Sequence, residues 1–242
     1  EGMLTSTNLK DIHYYKDLFQ LNFSNKHLIV LGINDVKKDS NLKIYNSLAI
    51  VDNNLNVLNY YQKNNLVPFG EFLPMENFLS KIGLKTITNN YQSFSKGKER
   101  KIISIKNQNF DLSFLPLICY EIIYSGKLKK INNFDFIINI SEDGWFGNSI
   151  GPHQHFAHSI FRAVEEGKSI IRSTNNGISA FIDPKGNIID KTESTESSVL
   201  EIRNFKNNKE TFFSKNGNNI FFYFLLFYIT LVFFLKINRE IK

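Results

Sequence analysis

The chain has 242 residues, 42% of them hydrophobic and 21% charged, with a formal net charge of +6. That length and composition fit a folded α/β unit with ample core and exclude a disordered chain. A single cysteine, Cys119, excludes an internal disulfide, and the basic excess carries no basic–aromatic pattern of the kind that binds nucleic acid.

Taken in chain order, the sequence opens at Glu1 without an initiator Met, so it is expected to be part of something longer. "HLIVLGIN" (27–34) is a continuous apolar run and predicts a strand buried on both faces. "NSLAIVDNNLNVLNYYQK" (46–63) predicts a hairpin turning at Asn53 and Asn54. "FLPMENFLSKIGL" (72–84) puts Met75, Phe78, Leu79 and Ile82 on one helical face, which suits either a core helix or an apolar arm resting on a membrane surface. The basic clusters "KGKER" (96–100) and "GKLKK" (126–130) read as solvated loops, with anionic lipid head groups as the alternative contact.

Further along, "FDFIINIS" (134–141) predicts another buried strand, and "HFAHSIFRAVEEGKS" (155–169) a helix ending at Gly167. "GISAFIDPKGNIIDKT" (177–192) predicts a hairpin with its turn at 183–186. From Ile220 to Leu235 no residue is charged, and the run is apolar on every side. A helix of that kind belongs in lipid, and its length approaches the roughly 20 residues a bilayer needs. Lys236, Arg239 and Lys242 follow at once, which predicts a cytoplasmic C-terminus and a domain on the outer side of the membrane.

Three segments concentrate reactive residues: "QKNNLVPFGEFLP" (62–74), "LPLICYEI" (115–122) and "NISEDGWFGNSIGPHQHF" (139–156). A cysteine nucleophile needs a base for its proton and a donor for the developing oxyanion. Cys119, Lys63 and a glutamate would make such a set, while a buried inert thiol is the plain alternative. His153, His155 and His158 lack the accompanying cysteines or paired carboxylates of a metal site; hydrogen bonding at a helix start is the expectation, and no metal or cofactor is called for.

The ordered motifs "LVPFGEFLP", "ICYEI", "WFG…GPHQHF" and "RSTNNGIS" together resemble the apolipoprotein N-acyltransferases, the membrane-bound branch of the nitrilase, or carbon-nitrogen hydrolase, superfamily. The resemblance runs to about Asp190 and resumes in the last apolar helix. It implies an α/β fold, an α-β-β-α sandwich over residues 1–210, followed by one transmembrane helix at 219–236 and a cytoplasmic tail at 237–242. It also implies a Glu-Lys-Cys triad with Cys119 as nucleophile, Lys63 at the oxyanion and Glu1 as general base. Glu71, Tyr120 and Glu121 fit supporting positions, and Trp145 fits either a pocket aromatic or a core tryptophan. Glu142 adds a carboxylate where the family usually has asparagine. The implied activity is transfer of a fatty acyl chain from a membrane phospholipid, through a cysteine thioester, to the α-amine of a diacylglyceryl apolipoprotein at the bacterial inner membrane, with the catalytic domain periplasmic. The alternatives are a membrane-anchored amidase and an inactive remnant that binds lipid or lipoprotein.

Overall fold

A computed structural model describes residues 1–2, 4–38, 42–75, 78, 81, 93–128, 134–192, 197–203 and 210–240. Two sheets stack face to face. The first has the order β1 (Leu4–Asn8), β2 (Ile29–Lys38), β3 (Leu42–Val51) and β4 (Val57–Gln62). The second runs β10 (Ile188–Lys191), β9 (Ala180–Ile182), β8 (Ser169–Asn175), β7 (Phe136–Glu142), β6 (Asp111–Ile118) and β5 (Ile103–Lys106). Its centre, β6–β7–β8, is parallel, and its edges are antiparallel hairpins.

Alternation along the strands divides the core into three layers. Leu48 and Ile50 of β3 point between the sheets, against Ile103, Phe114, Ile118 and Ile140. Their neighbours Ala49 and Val51 point outwards to Leu9 and Ile12, on the 3-10 turn that precedes α1 (Lys16–Asn22). On the far side, Leu115, Leu117, Ile137 and Ile170 meet Phe156 and Ala163 of α2 (Gly151–Glu166). The layering is therefore α-β-β-α, and each fully buried Leu or Ile contributes about 1.5–3 kcal/mol.

The expected buried strands and both hairpins are present. Asp52 closes the first turn by accepting from the Asn54 and Asn56 amides at 2.8 and 2.9 Å, and Asp183 closes the last in the same way. The long helix begins at Gly151 rather than at 155, because Pro152 stands at its first turn, where a missing N–H costs nothing. It ends as expected at Gly167, in the left-handed conformation (φ 65°). Within the expected helix at 72–84, Met75 and Phe78 are exposed, while Leu79 and Ile82 lie outside the described residues.

The basic cluster at 96–100 is not simply solvated. Lys96, Lys98 and Glu99 are exposed, but a Cβ on buried Gly97 would meet the Gln62 carbonyl oxygen at 2.2 Å, so glycine lets this strap press on the end of β4. Arg100 turns inwards, with two guanidinium nitrogens buried and unbonded. In "GKLKK", Lys127 lies over the Tyr124 ring at 4.6 Å, and Lys129 and Lys130 lie outside the described residues.

Beyond the sandwich, α3 (Phe212–Asn216) leads through Gly217 into α4 (Asn219–Glu240). The segment Asn219–Ile237 has a mean hydropathy of 2.4 and none of it is buried. It is long and apolar enough to cross a membrane. Its root is fixed to the sandwich: a Cβ on Gly217 would meet the Gly126 carbonyl oxygen at 2.6 Å, and Asn218 donates to the Ser125 carbonyl at 3.3 Å.

At the end of α2, Glu166 is buried and one of its carboxylate oxygens has no partner. Burial and the neighbouring Glu165 push its pKa up to about 7, against the pull of Arg162 and Arg100. The folded state thus holds this proton more tightly than the unfolded chain does. The stability it confers is full below the unfolded value and is lost as pH rises through 7. Glu166→Gln is expected to raise thermal stability at pH 8, by up to about 3 kcal/mol, and to change it much less at pH 5, as read by thermal scans at the two pH values.

Candidate active site

Strand β6 delivers the cysteine. It ends at Ile118, and the chain turns at once into a 3-10 turn, Cys119–Ile123, with Cys119 itself in the left-handed region at φ 50°. The turn is held from behind by Glu121, which is 1% exposed and faces away from the cavity in front of the thiol. Its Oε2 accepts from the Ile118 amide at 2.9 Å. Its Oε1 accepts from the Tyr61 hydroxyl at 2.7 Å and from the Asn64 and Asn65 amides at 3.0 and 2.9 Å. One carboxylate thereby ties the Cys119 turn to the loop that follows β4.

That loop carries Lys63, also 1% exposed. Its backbone is clamped on both sides: its amide donates to Asn46 at 2.8 Å, and its carbonyl accepts from Gly97 of the strap at 2.8 Å. The Lys63 ammonium donates to Glu71 Oε1 at 2.9 Å and lies 3.5 Å from Glu1 Oε1. Asn46 of β3 donates one Nδ2 to both carboxylates, reaching Glu71 at 2.9 Å. Glu71 Oε2 accepts from the Val67 amide at 2.9 Å, and Glu1 Oε2 from the Glu142 amide at 3.2 Å. Glu1 can reach this point because Gly32 of β2 has no Cβ, which would otherwise stand 2.8 Å from the Gly2 nitrogen.

Glu1, Lys63, Glu71 and Cys119 line one cavity of about 600 Å³. The remaining wall is mostly apolar, with Val67, Phe94, Tyr120, Ile123 and Phe146, and includes the polar Gln154, His155 and His158. Tyr120 packs edge-on against Tyr124 at 5.4 Å. Trp145 is 62% exposed and also lines the cavity, so the core alternative for it falls. Glu142 also lines the cavity, and its side chain accepts from the Gly144 amide at 2.8 Å, capping the next 3-10 turn.

The charges sort themselves by environment. Burial raises the Glu1 carboxyl, but Lys63, the residue's own α-amine and Asn46 outweigh it and hold the group below the ordinary carboxylate range. Burial opposes the Lys63 charge, but Glu1, the thiol and Glu71 keep it above the ordinary lysine range. Burial and the Glu1 carboxylate push the Cys119 thiol up to about 12, although Lys63 and Ser141 pull the other way. The resting site is thus a neutral thiol beside a carboxylate and an ammonium.

Sequence reasoning passed over Asn46, whose only signal is a polar residue inside an apolar strand. It also passed over a second polar group behind the thiol. Asp143 is fully buried, accepts from Ser141 and His155 at 2.8 Å each, and pairs with Arg172 at 2.7 Å. His155 does not serve the helix start, which has no side-chain cap; it bonds to Asp143 instead. Among the described residues no group of three or more His, Cys, Asp or Glu side chains is arranged for a metal ion.

Residues 9–203 match the carbon-nitrogen hydrolase family. The chain belongs to that family. It is 39% identical to the apolipoprotein N-acyltransferase of Rickettsia prowazekii (strain Madrid E) over 222 residues, which cover 88% of this chain and 44% of that protein. It is 37% identical to the apolipoprotein N-acyltransferase of Wigglesworthia glossinidia brevipalpis over 88% of this chain and 42% of that one. The chain therefore spans less than half the length of these relatives. Among solved structures, an amidase from Nesterenkonia sp. superposes over 80% of this chain and 67% of its own with a TM-score of 0.51 at 14% identity, a likeness of fold.

Two outcomes follow from this geometry. Glu121→Ala removes the acceptor of two buried donors, the Ile118 amide and the Tyr61 hydroxyl, and of two part-buried amides, and is expected to destabilise the fold by about 3 kcal/mol, read by denaturant unfolding. Alkylation of Cys119 by iodoacetamide should rise about tenfold per pH unit from pH 7 to 10 without a plateau, since only the thiolate reacts and the thiol titrates near 12. A plateau at or below pH 9 would contradict the raised thiol.

Proposed function

We propose that this chain is the catalytic part of a phospholipid:apolipoprotein N-acyltransferase that works through a Glu1-Lys63-Cys119 triad. The observation that carries the reading is the meeting of these three side chains in one apolar-walled cavity, on a carbon-nitrogen hydrolase sandwich rooted to an exposed apolar helix. The names of the relatives supply the substrate class.

In the first half-reaction Cys119 Sγ attacks the ester carbonyl of a membrane phospholipid while Glu1 accepts the thiol proton. The oxyanion that forms faces the Lys63 ammonium. Collapse breaks the ester C–O bond, the departing alkoxide takes the proton back from Glu1, and a lysophospholipid leaves a thioacyl enzyme. In the second half-reaction the α-amine of a diacylglyceryl cysteine, at the N-terminus of an apolipoprotein, attacks the thioester. Glu1 accepts the amine proton, the C–S bond breaks, and the proton returns to Cys119 as the amide product departs. Glu71 holds the lysine in place, and the apolar wall at Tyr120 and Ile123 suits an acyl chain. No cofactor enters these steps.

In this reading residues 1–210 form the catalytic domain, 219–236 cross the bacterial inner membrane, and 237–242 form a cytoplasmic tail, which leaves the catalytic domain on the periplasmic side. An anchored hydrolase of the same family would send water against the same thioester. The helix favours the transferase, since both of its substrates live in the bilayer.

The full-length protein, incubated with a defined phospholipid and then weighed intact, is expected to gain one fatty-acyl mass. Hydroxylamine should remove it, Cys119→Ala should abolish it, and a diacylglyceryl peptide should discharge it as an amide. Discharge by water alone, at a rate that the peptide leaves unchanged, would make the protein an amidase-type hydrolase. No adduct on a folded protein would overturn the reading.

A further inference from the structure

The second polar group has no part in the steps above, yet it touches the nucleophile. His155 is buried on the early part of α2, and its ring forms part of the cavity wall. Its Nδ1 faces Asp143 Oδ1 at 2.8 Å and Arg172 Nη2 at 3.2 Å, and its Nε2 faces the backbone carbonyl oxygen of Cys119 at 3.3 Å. A carbonyl oxygen only accepts, so a proton belongs on Nε2. Asp143 Oδ1 likewise only accepts, so Nδ1 carries a proton as well, and the ring that makes both contacts is the imidazolium with its Nε2–H aimed at Cys119.

The ring has little freedom to turn away. Asp143 is gripped by Ser141 as well, and Arg172 donates in addition to Asn139, to Ser159 at 3.4 Å and to the Ile178 carbonyl at 3.3 Å. All of these groups except the Ile178 carbonyl are side chains buried to within 2% exposure. A satisfied charged network of this kind is rigid, because any rotation leaves an unpaired group in a dry interior.

Cys119 needs such a hold. A side-chain-bearing residue at φ 50° sits in a conformation that costs about 1–2 kcal/mol and persists only when its surroundings impose it. Glu121 fixes the Leu117–Ile118 peptide, one residue ahead of the cysteine, through the Ile118 amide. The carbonyl after the cysteine is fixed by His155.

We infer that His155, locked by Asp143 and Arg172, is a positioning residue for the nucleophile: its Nε2–H pins the Cys119 carbonyl and so aims Sγ at Glu1 and the substrate carbonyl. This rests on the reading of Cys119 as the acyl-accepting thiol. It predicts a loss in the maximal rate of acylation rather than in substrate binding.

Three variants separate this role from a purely architectural one. Glutamine places a donor where Nε2 stood, asparagine keeps only the group at Nδ1, and alanine keeps neither. In the full-length protein, His155→Ala and His155→Asn are expected to lower the maximal rate of thioacyl formation from a defined phospholipid by about 10²-fold, with KM within about twofold. His155→Gln should recover at least tenfold of that loss. Iodoacetamide alkylation of Cys119, run in parallel, needs no lipid. It should slow in His155→Ala and recover in His155→Gln even if no thioacyl forms in the parent, so failure of the acyltransferase reading is distinguishable from failure of this one. The inference falls if folded His155→Asn matches the parent in both assays. It falls equally if folded His155→Gln is as slow in alkylation as His155→Asn.

Discussion

A charge taken out of water must be answered inside the protein, and the Lys63 ammonium, 1% exposed, is answered by two carboxylates and by nothing apolar. Much of the site's architecture serves that requirement. Gly32 thins β2 so that Glu1 can approach, the strap at Gly97 fixes the lysine backbone, and Asn46 spans Glu1 and Glu71. Burial first, and then the Glu1 carboxylate, oppose a further negative charge on sulfur, so the thiol rests protonated. Moving its proton to Glu1 keeps the sum of charges in the cavity unchanged. Within the proposed mechanism, acid and base therefore exchange a proton without forcing a new net charge into a dry space.

The second sheet repeats the logic with a different cation. Arg172, buried in β8, is answered by Asp143, and His155 links the pair to the Cys119 carbonyl. The Cys119 turn thus has two charged groups near it, one rooted in each sheet. Packing the sheets face to face through Ile50, Phe114, Ile118 and Ile140 brings the two together. Hydrophobic stacking sets the separation of the sheets, and ion pairs set what happens in the gap at their edge.

Much of the fold was readable because burial writes itself as period and run. The run in β2, the turn residues Asn53, Asn54 and Asp183, and Gly167 all signalled their roles locally. The start of α2 was misread because Gly151 and Pro152 look like loop until their first-turn position is known. Strand β8 escaped because Arg172 interrupts its apolar run, and only its partner in another segment explains the interruption. Asn46 and Asp143 are hidden for the same reason. Lys63, Glu71 and Cys119 were legible through their motifs rather than through any pattern of burial, and nothing in their spacing shows that they meet. Gly97 looked like part of a basic loop because its job is an absence of side chain.

The contact between Gly126 and Gly217 is made backbone to backbone, a short stretch of chain beyond Cys119. The root of the apolar helix, Gly217 and Asn218, meets Gly126 and Ser125 directly, just past the turn that carries the sulfur. If α4 spans the bilayer as proposed, a lean to match a thicker or thinner one would bear first on the Gly126 joint, seven residues from Cys119. The lipid's own thickness would then be a mechanical input to the aim of the nucleophile, and a flexible insertion at this joint would disconnect it.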